Sequence, residues 1–424
     1  MEGFFIFKLM RVKINILLFS LILLVPFVPY FGTIDKIGSQ WFYLSIINLC
    51  IVFYNFFHFD YLKNLKKLFN YPQFFSYSLF FLFCVLSLFY SNNLSLSLVE
   101  ISRIIITIFS VINIYIFLSH HKLDLVSFSK LISIVLFIEV LISFIPLIDF
   151  LWHNDLSTLD FNKLQISLLG VSGNRNVLSF DLVFKLIFVI YLFFRSNIFY
   201  KILSFLLIFS TTTLLSLLSS RAVLFCLLLV TIILIVHLFL SKSNYKSFVF
   251  IIPIFLSFSI TSLLDSNRFN PVSKVSSVGL SDDSTTHRLF LYDNAIDFIY
   301  KNPFIGCGIG NWKVESLPYW KNRLSGYTIP YHAHNDFLEI ATETGFFGGL
   351  FYLLFFLIIL CHFFLSYYKT RHLDKLIVFI LCFVYLLDAN FNFPMERALS
   401  QVNLIILFTL SLLLFQKKPY EKTI

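Results

Sequence analysis

KILSFLLIFSTTTLLSLLSSRAVLFCLLLVTIILIVHLFL, residues 201–240, is apolar on both sides of Ser219-Ser220-Arg221. Each half approaches the roughly 20 residues that an α-helix needs to cross a bilayer core. Such runs fold as helices, because a lipid-exposed backbone must satisfy its own hydrogen bonds. The break at Ser219-Ser220-Arg221 reads either as a tight hairpin or as one broken helix. Working outward, similar runs lie near 14–31, 41–58, 73–90, 99–118, 127–148, 177–194, 247–264, 346–367, 375–390 and 401–416. With 200–218 and 222–240 they predict an all-α polytopic membrane protein of about twelve spans.

Composition agrees. Of 424 residues, 58% are hydrophobic and only 13% are charged, whereas a soluble domain is nearer a quarter charged. The net charge of +9 raises the possibility of nucleic acid, but the basic residues fall in short loops between apolar runs. They therefore read as positive-inside signals, and no nucleic-acid partner is expected. With the N-terminus cytoplasmic, the inner segments hold Lys8, Arg11, Lys13, Lys63, Lys66, Lys67, Lys122, Lys130, Arg195, Lys201, Lys242, Lys246, Lys369, Arg371, Lys375, Lys417, Lys418 and Lys422. The opposite loops hold few, among them Lys36, Lys163 and Arg175. Both termini are thus expected in the cytoplasm, with segments 149–176 and 265–345 outside. Lys8, Arg11 and Lys13 before an apolar run resemble a signal peptide, but no small-x-small site follows, and an uncleaved first helix is expected. Six scattered cysteines give no disulfide framework.

The chain divides into spans 1–264, an outer loop 265–345, and spans with a tail 346–424. In the loop, Leu289, Tyr292, Ile296 and Ile299 fall on one helical face, with Ser284, Thr285 and Thr286 as N-cap candidates. Asn302-Pro303 ends that helix, and Gly306, Gly308 and Gly310 make turns. Residues 336–344 read as a second short helix ending at Gly345. The loop is expected to be a lid with two amphipathic helices on the membrane.

Tyr331-His332-Ala333-His334-Asn335-Asp336 places titratable chemistry at that membrane face. His334 stands before a helix start, where partial positive charge disfavours imidazolium. A neutral imidazole is what a general base requires. Its bland alternative is a surface histidine. The metal reading of His332 and His334, with His287 and Asp336 nearby, lacks a paired second motif, so no metal is expected. Asp282-Asp283 reads as solvated loop in preference to a weak cation site. Arg221 lies on the outer face, where the positive-inside rule disfavours it, and Arg288 opposes its helix dipole. Both suit an anionic ligand such as phosphate, although snorkelling and solvation are their plainer readings. Asn174, Arg175 and Asn176 precede a span on the same face, and asparagine there either holds sugar hydroxyls or caps the helix. Gly306-x-Gly308-x-Gly310 lacks a surrounding βαβ unit, which excludes a Rossmann loop.

His334-Asn335, nine residues, then Gly345-Phe346-Phe347-Gly348 resembles the H-[NSQ]-x9-G-x-x-G signature of the O-antigen ligase-like superfamily. That superfamily spans WaaL-type O-antigen ligases, Wzy-type polymerases and bacterial O-oligosaccharyltransferases. Ser220-Arg221-Ala222, the block from His287-Arg288-Leu289 to Asn302-Pro303-Phe304-Ile305-Gly306-Cys307-Gly308, and Asn174-x-Asn176 also resemble the family's motifs, with Tyr292 where many relatives carry tryptophan. The resemblance implies a GT-C-type inverting glycosyltransferase of a bacterial inner membrane, acting at the periplasmic face. It implies an undecaprenyl-diphosphate-linked glycan as donor, and lipid A-core, a second lipid-linked glycan or a protein hydroxyl as acceptor. It implies neither metal nor cofactor. His334 would be the base, Arg288 and Arg221 would stabilise the leaving diphosphate, and His332, Asn335, Asn174, Arg175 and Asn176 would bind substrate. Gly306, Gly308, Gly345 and Gly348 would be structural, and membrane lipid would surround the spans. The intact signature leans towards a ligase. A polysaccharide or lipid transporter is the rival from another class, but polar groups gathered at one face, without repeat symmetry, argue against it.

Overall fold

Apolar runs that satisfy their own backbone hydrogen bonds account for nearly all of the described chain. The computed structural model describes residues 17–32, 36–121, 124–153, 161–242, 245–264, 283–320 and 331–415. Residues 17–23 are helical. There follow α1 (Lys36–His58), α2 (Tyr61–Leu68), α3 (Pro72–Leu86), α4 (Leu94–His121), α5 (Leu125–His153), α6 (Phe161–Ser167), α7 (Arg175–Arg195), α8 (Ile198–Leu218), α9 (Arg221–Leu240) and α10 (Ile251–Leu264). The segment before the last spans holds α11 (Asp283–Lys301), α12 (Trp312–Glu315) and α13 (Leu317–Trp320), and then α14 (Asp336–Thr370), α15 (Leu373–Phe391) and α16 (Ala398–Phe415) complete the fold. Among the described residues there is no strand.

Ten helices among the described residues are long and apolar enough to cross a membrane. α15 is of similar length but carries Asp374, Lys375 and Asp388, and the expected run at 14–31 lies partly outside the described residues. The chain is an all-α, multi-pass membrane protein.

The helix ends sort onto two faces. On one, Arg195 reaches Asp374 at 3.8 Å, His237 Nδ1 meets the Tyr367 hydroxyl at 2.9 Å, and Lys130 lies over the Tyr200 ring at 4.1 Å. On the other, Gln165 donates to the Leu217 carbonyl at 3.1 Å, and the Ser220 hydroxyl donates to Asn176 Oδ1 at 2.9 Å. Helices α8 and α9 therefore run to the second face and back. The reversal uses Ser219 in the left-handed region, φ 51°, so the hairpin reading holds.

Helix α14 is two helices in sequence. Gly345, with φ 77° and ψ −179°, breaks it, as the sequence reading of 336–344 anticipated. The break frees carbonyls that the loop then uses: the N–H groups of Cys307 and Gly308 donate to Thr342 and Glu343 at 3.0 and 2.9 Å, and Phe346 N–H donates to Pro303 at 2.9 Å. Both partners of this crossing need glycine. A Cβ on Gly345 would sit 2.2 Å from the Phe304 oxygen, and one on Gly306 would sit 2.3 Å from Glu343 backbone. Gly345→Ala forces an L-residue into a positive-φ, extended-ψ conformation that essentially only glycine adopts, at a cost of roughly 1–3 kcal/mol, and meets a backbone clash besides. Its expected outcome is a lower melting temperature and loss of the monodisperse peak in size-exclusion chromatography.

One expectation is corrected here. Residues 336–344 do not lie as an amphipathic helix on the membrane, because Asp336, Ile340, Thr342, Glu343 and Thr344 are all buried. The other helix, α11, is described from Asp283, so Ser284, Thr285 and Thr286 fall within its described length. Asp282, 265–281 and 321–330 lie outside the described residues.

Candidate active site

The site begins where α14 begins. Asn335 is its N-cap, accepting from Phe337 and Leu338 N–H at 3.0 and 3.1 Å. The residue before it, His334, takes φ 55°, a conformation that costs an L-residue about 1–2 kcal/mol. Several contacts hold the turn. Glu339, one turn into the helix, accepts from Ala333 N–H at 2.8 Å and pairs with His332 Nδ1 at 2.8 Å. The Tyr292 hydroxyl of α11 lies 2.7 Å from the Asn390 carbonyl and 3.2 Å from that of His334. Asn335 Nδ2 reaches Asn390 Oδ1 at 3.3 Å. Three helices, α11, α14 and α15, thus converge on one histidine.

The two histidines flanking Ala333 share a ring. His332 stacks on Phe393 at 4.4 Å, and His334 meets its edge at 5.1 Å. Their electrostatics diverge. Burial, helped by the positive charges of Arg288, His332 and His287, pushes His334 down to about 4. Burial would also lower His332, but the Glu339 carboxylate outweighs it and raises that imidazole above its ordinary value. The result is a neutral His334 beside an ion-paired His332. His334 Nδ1 is buried, with no hydrogen-bond partner among the described residues. If His334 acts as a base, it is competent above its own pKa. The acid limb of the rate profile is then expected near pH 4, with activity falling as pH drops through that value and no limb near 6.5, where an unperturbed histidine titrates.

Arg288 sits in α11 with its guanidinium 5.7 Å from the Phe391 ring centroid, within electrostatic reach of His334. Arg221 opens α9, and Arg175, at the start of α7, is its charged neighbour. Asn174 spends its side-chain oxygen capping α7, on Asn176 and Val177 N–H at 3.0 and 3.2 Å. Asn176 takes the Ser220 hydroxyl beside Arg221. The candidates therefore form two groups: His332, His334, Asn335 and Arg288 around α11, α14 and α15, and Asn174, Arg175, Asn176 and Arg221 at the ends of α7 and α9. Cys226 of α9 neighbours Asp388 of α15, so both groups stand at the same face of the bundle.

Sequence reasoning missed the second wall. Glu100, Glu339, Glu343, Phe393 and Glu396 line a cleft beside the histidines, together with Asp336, which the sequence already offers. Arg103 and Lys313 answer its charge: Arg103 pairs with Glu100 at 2.7 Å and with Glu396, and Lys313 lies 3.8 and 3.7 Å from the same two carboxylates. Burial would raise Glu396, but His332, Arg103 and Lys313 outweigh it and hold the carboxyl below its usual range. The available signal was the scarcity of acid in the chain, 23 residues in 424, against its concentration here. Gly308 lies against Ser91, and Gly348 against its own helix at Thr344 and against Phe83. Cys307 is buried in a small hydrophobic cluster with Ala295, Phe298, Trp312 and Ala333. Among the described residues, no three His, Cys, Asp or Glu side chains come together in a group that could hold a metal ion.

Residues 203–353, from within α8 to within α14, match the O-antigen ligase family. No curated protein matches the chain.

Proposed function

From a multi-pass membrane protein with an O-antigen ligase segment at its centre, we propose a surface-polysaccharide ligase. It transfers a glycan from undecaprenyl diphosphate to an acceptor hydroxyl, lipid A-core in the first instance, at the outer face of the inner membrane. The observation that carries this reading is His334, held in a positive-φ turn at the start of α14 by contacts from α11 and α15, with the Arg288 guanidinium of α11 within electrostatic reach. The face bearing Lys130, Arg195, Arg371 and Lys375 is the cytoplasmic one by the positive-inside rule, which puts His334 outside, with the glycan.

In the proposed step, His334 takes the acceptor hydroxyl proton as its oxygen bonds to the anomeric carbon. The bond from that carbon to the diphosphate oxygen breaks on the opposite face, inverting the centre. Negative charge grows on the departing polyprenyl diphosphate, where Arg288 and Arg221 offer forked donors. The imidazolium then returns its proton to water. Electrostatic stabilisation supplies the barrier reduction without a metal, so transfer is expected to persist in EDTA; activity lost in EDTA and restored by zinc would overturn that part.

A strain lacking the protein tests the acceptor assignment. Long glycan chains left on the lipid carrier are expected from a lost ligase. Single repeat units on the core would indicate a polymerase, and unaltered lipopolysaccharide with an unglycosylated protein would indicate an O-oligosaccharyltransferase.

A further inference from the structure

Deep in the bundle, two spans bury charge that the glycan chemistry does not use. Lys185 of α7 donates to the carboxylate of Glu139 in α5 and, at 2.8 Å, to Asp181 Oδ2 one turn before it. Asn403 of α16 donates to Asp181 Oδ1 at 2.9 Å. Glu139, Asp181 and Lys185 are 0%, 2% and 2% exposed. Lys185 lies ten positions into the 21-residue α7. At 1.5 Å per residue that is about 15 Å from the helix start, near the middle of a hydrocarbon core of roughly 30 Å. Ionisable side chains at that depth are rare and mark functional sites.

Two carboxylates and one ammonium leave one uncompensated negative charge. Among the described residues, the cation paired with the cluster is Lys185; α16 contributes the neutral Asn403, and the titratable group that α15 brings near Asp181 is another acid, Asp388. Two local observations point to what compensates the remaining charge. Glu139 Oε2 is fully buried and has no hydrogen-bond partner among the described residues. The Glu139 and Asp181 carboxyls also converge on the one Lys185 ammonium, where two ionised groups would repel. A hydrogen on one of them answers both, because a carboxylic acid donates to its carboxylate neighbour.

We propose that Glu139, Asp181 and Lys185 form an intramembrane proton-binding site, holding one proton between the two carboxyls beside a charged Lys185. The cluster is then neutral. It fastens α5 to α7 at mid-bilayer, and loss of the proton leaves a net negative charge in the contact. The site stands apart from His334 and does not depend on the glycosyl-transfer reading.

The test uses the full chain in lipid nanodiscs at neutral pH. Difference infrared spectra of the parent protein against Glu139→Gln and against Asp181→Asn are expected to show a carbonyl stretch of a protonated carboxylic acid, lost or shifted in both variants. Glu139→Gln, isosteric with the neutral acid, is expected to fold with little change in melting temperature. Lys185→Met alone is expected to lower the folded yield, and adding Asp181→Asn is expected to restore it. Difference spectra without such a band, a Glu139→Gln chain that fails to fold, or a Lys185→Met chain as stable as the parent would each overturn the proposal.

Discussion

His334→Asn is expected to lower glycan transfer by about 10²–10⁴-fold, the usual contribution of a positioned general base, while the chain remains folded. Asparagine is the informative substitution because it tolerates the left-handed backbone that His334 occupies at φ 55°. It therefore removes the imidazole and leaves the turn. The cap of α14 rests on Asn335, and the Glu339 contacts rest on His332 and on Ala333 N–H, so neither is touched. A melting temperature close to the parent's, with transfer of a lipid-linked glycan lost, is the expected pair of results. Transfer within a few-fold of the parent would mean that the acceptor proton leaves by another route.

Arg288→Lys is expected to be nearly as damaging. Lysine keeps the charge but loses the planar fork that holds two oxygens at once. It also loses the flat cation over Phe391, 5.7 Å from the ring centroid. Removing one well-placed donor to a developing anion typically costs about 10²–10³ in turnover. The fall is expected in kcat more than in KM, because the diphosphate carries most charge as it departs. Arg288→Gln separates a second role. Arg288 is among the positive charges that depress the His334 imidazole, so its removal is expected to move the acid limb of the rate profile upward. Arg288→Lys, with its charge retained, is expected to leave the limb in place. Full activity in Arg288→Lys would make the arginine a structural residue of α11.

Much of this was legible because it is local. The apolar runs marked ten helices long and apolar enough to span, where about twelve were expected, and asparagine before Asp336 marked the start of α14. Gly345 marked the break in that helix, since a glycine after a short periodic segment marks a helix stop. The positive-inside pattern separated the two faces before any helix was placed. What stayed hidden is long-range. Nothing near His334 in sequence names Asn390 or Phe393, which α15 and the turn after it deliver. Tyr292 was visible as part of an apolar helical face and as a departure from tryptophan, whereas its hydroxyl joins α11 to the backbone of α15. Glu100 lies one helical turn from Arg103, but Glu396 is almost three hundred positions away, and only packing brings it to that pair. Glu139 and Lys185 are likewise read as isolated charges inside apolar runs until α5 and α7 pair. The second lid helix was misjudged because its acids look solvent-seeking, yet Glu343 is buried and accepts from Trp312 N–H at 3.0 Å.

The central claim is that an uncharged imidazole on the outer face drives displacement of a polyprenyl diphosphate. Its most direct test is the purified chain in proteoliposomes, supplied with a lipid-linked glycan and a hydroxyl-bearing acceptor, with products followed by NMR. The expected result is one polyprenyl diphosphate released for each glycosidic bond formed, the anomeric configuration inverted, and both lost in His334→Asn. Bond formation with retained configuration, or undiminished in that variant, would contradict it.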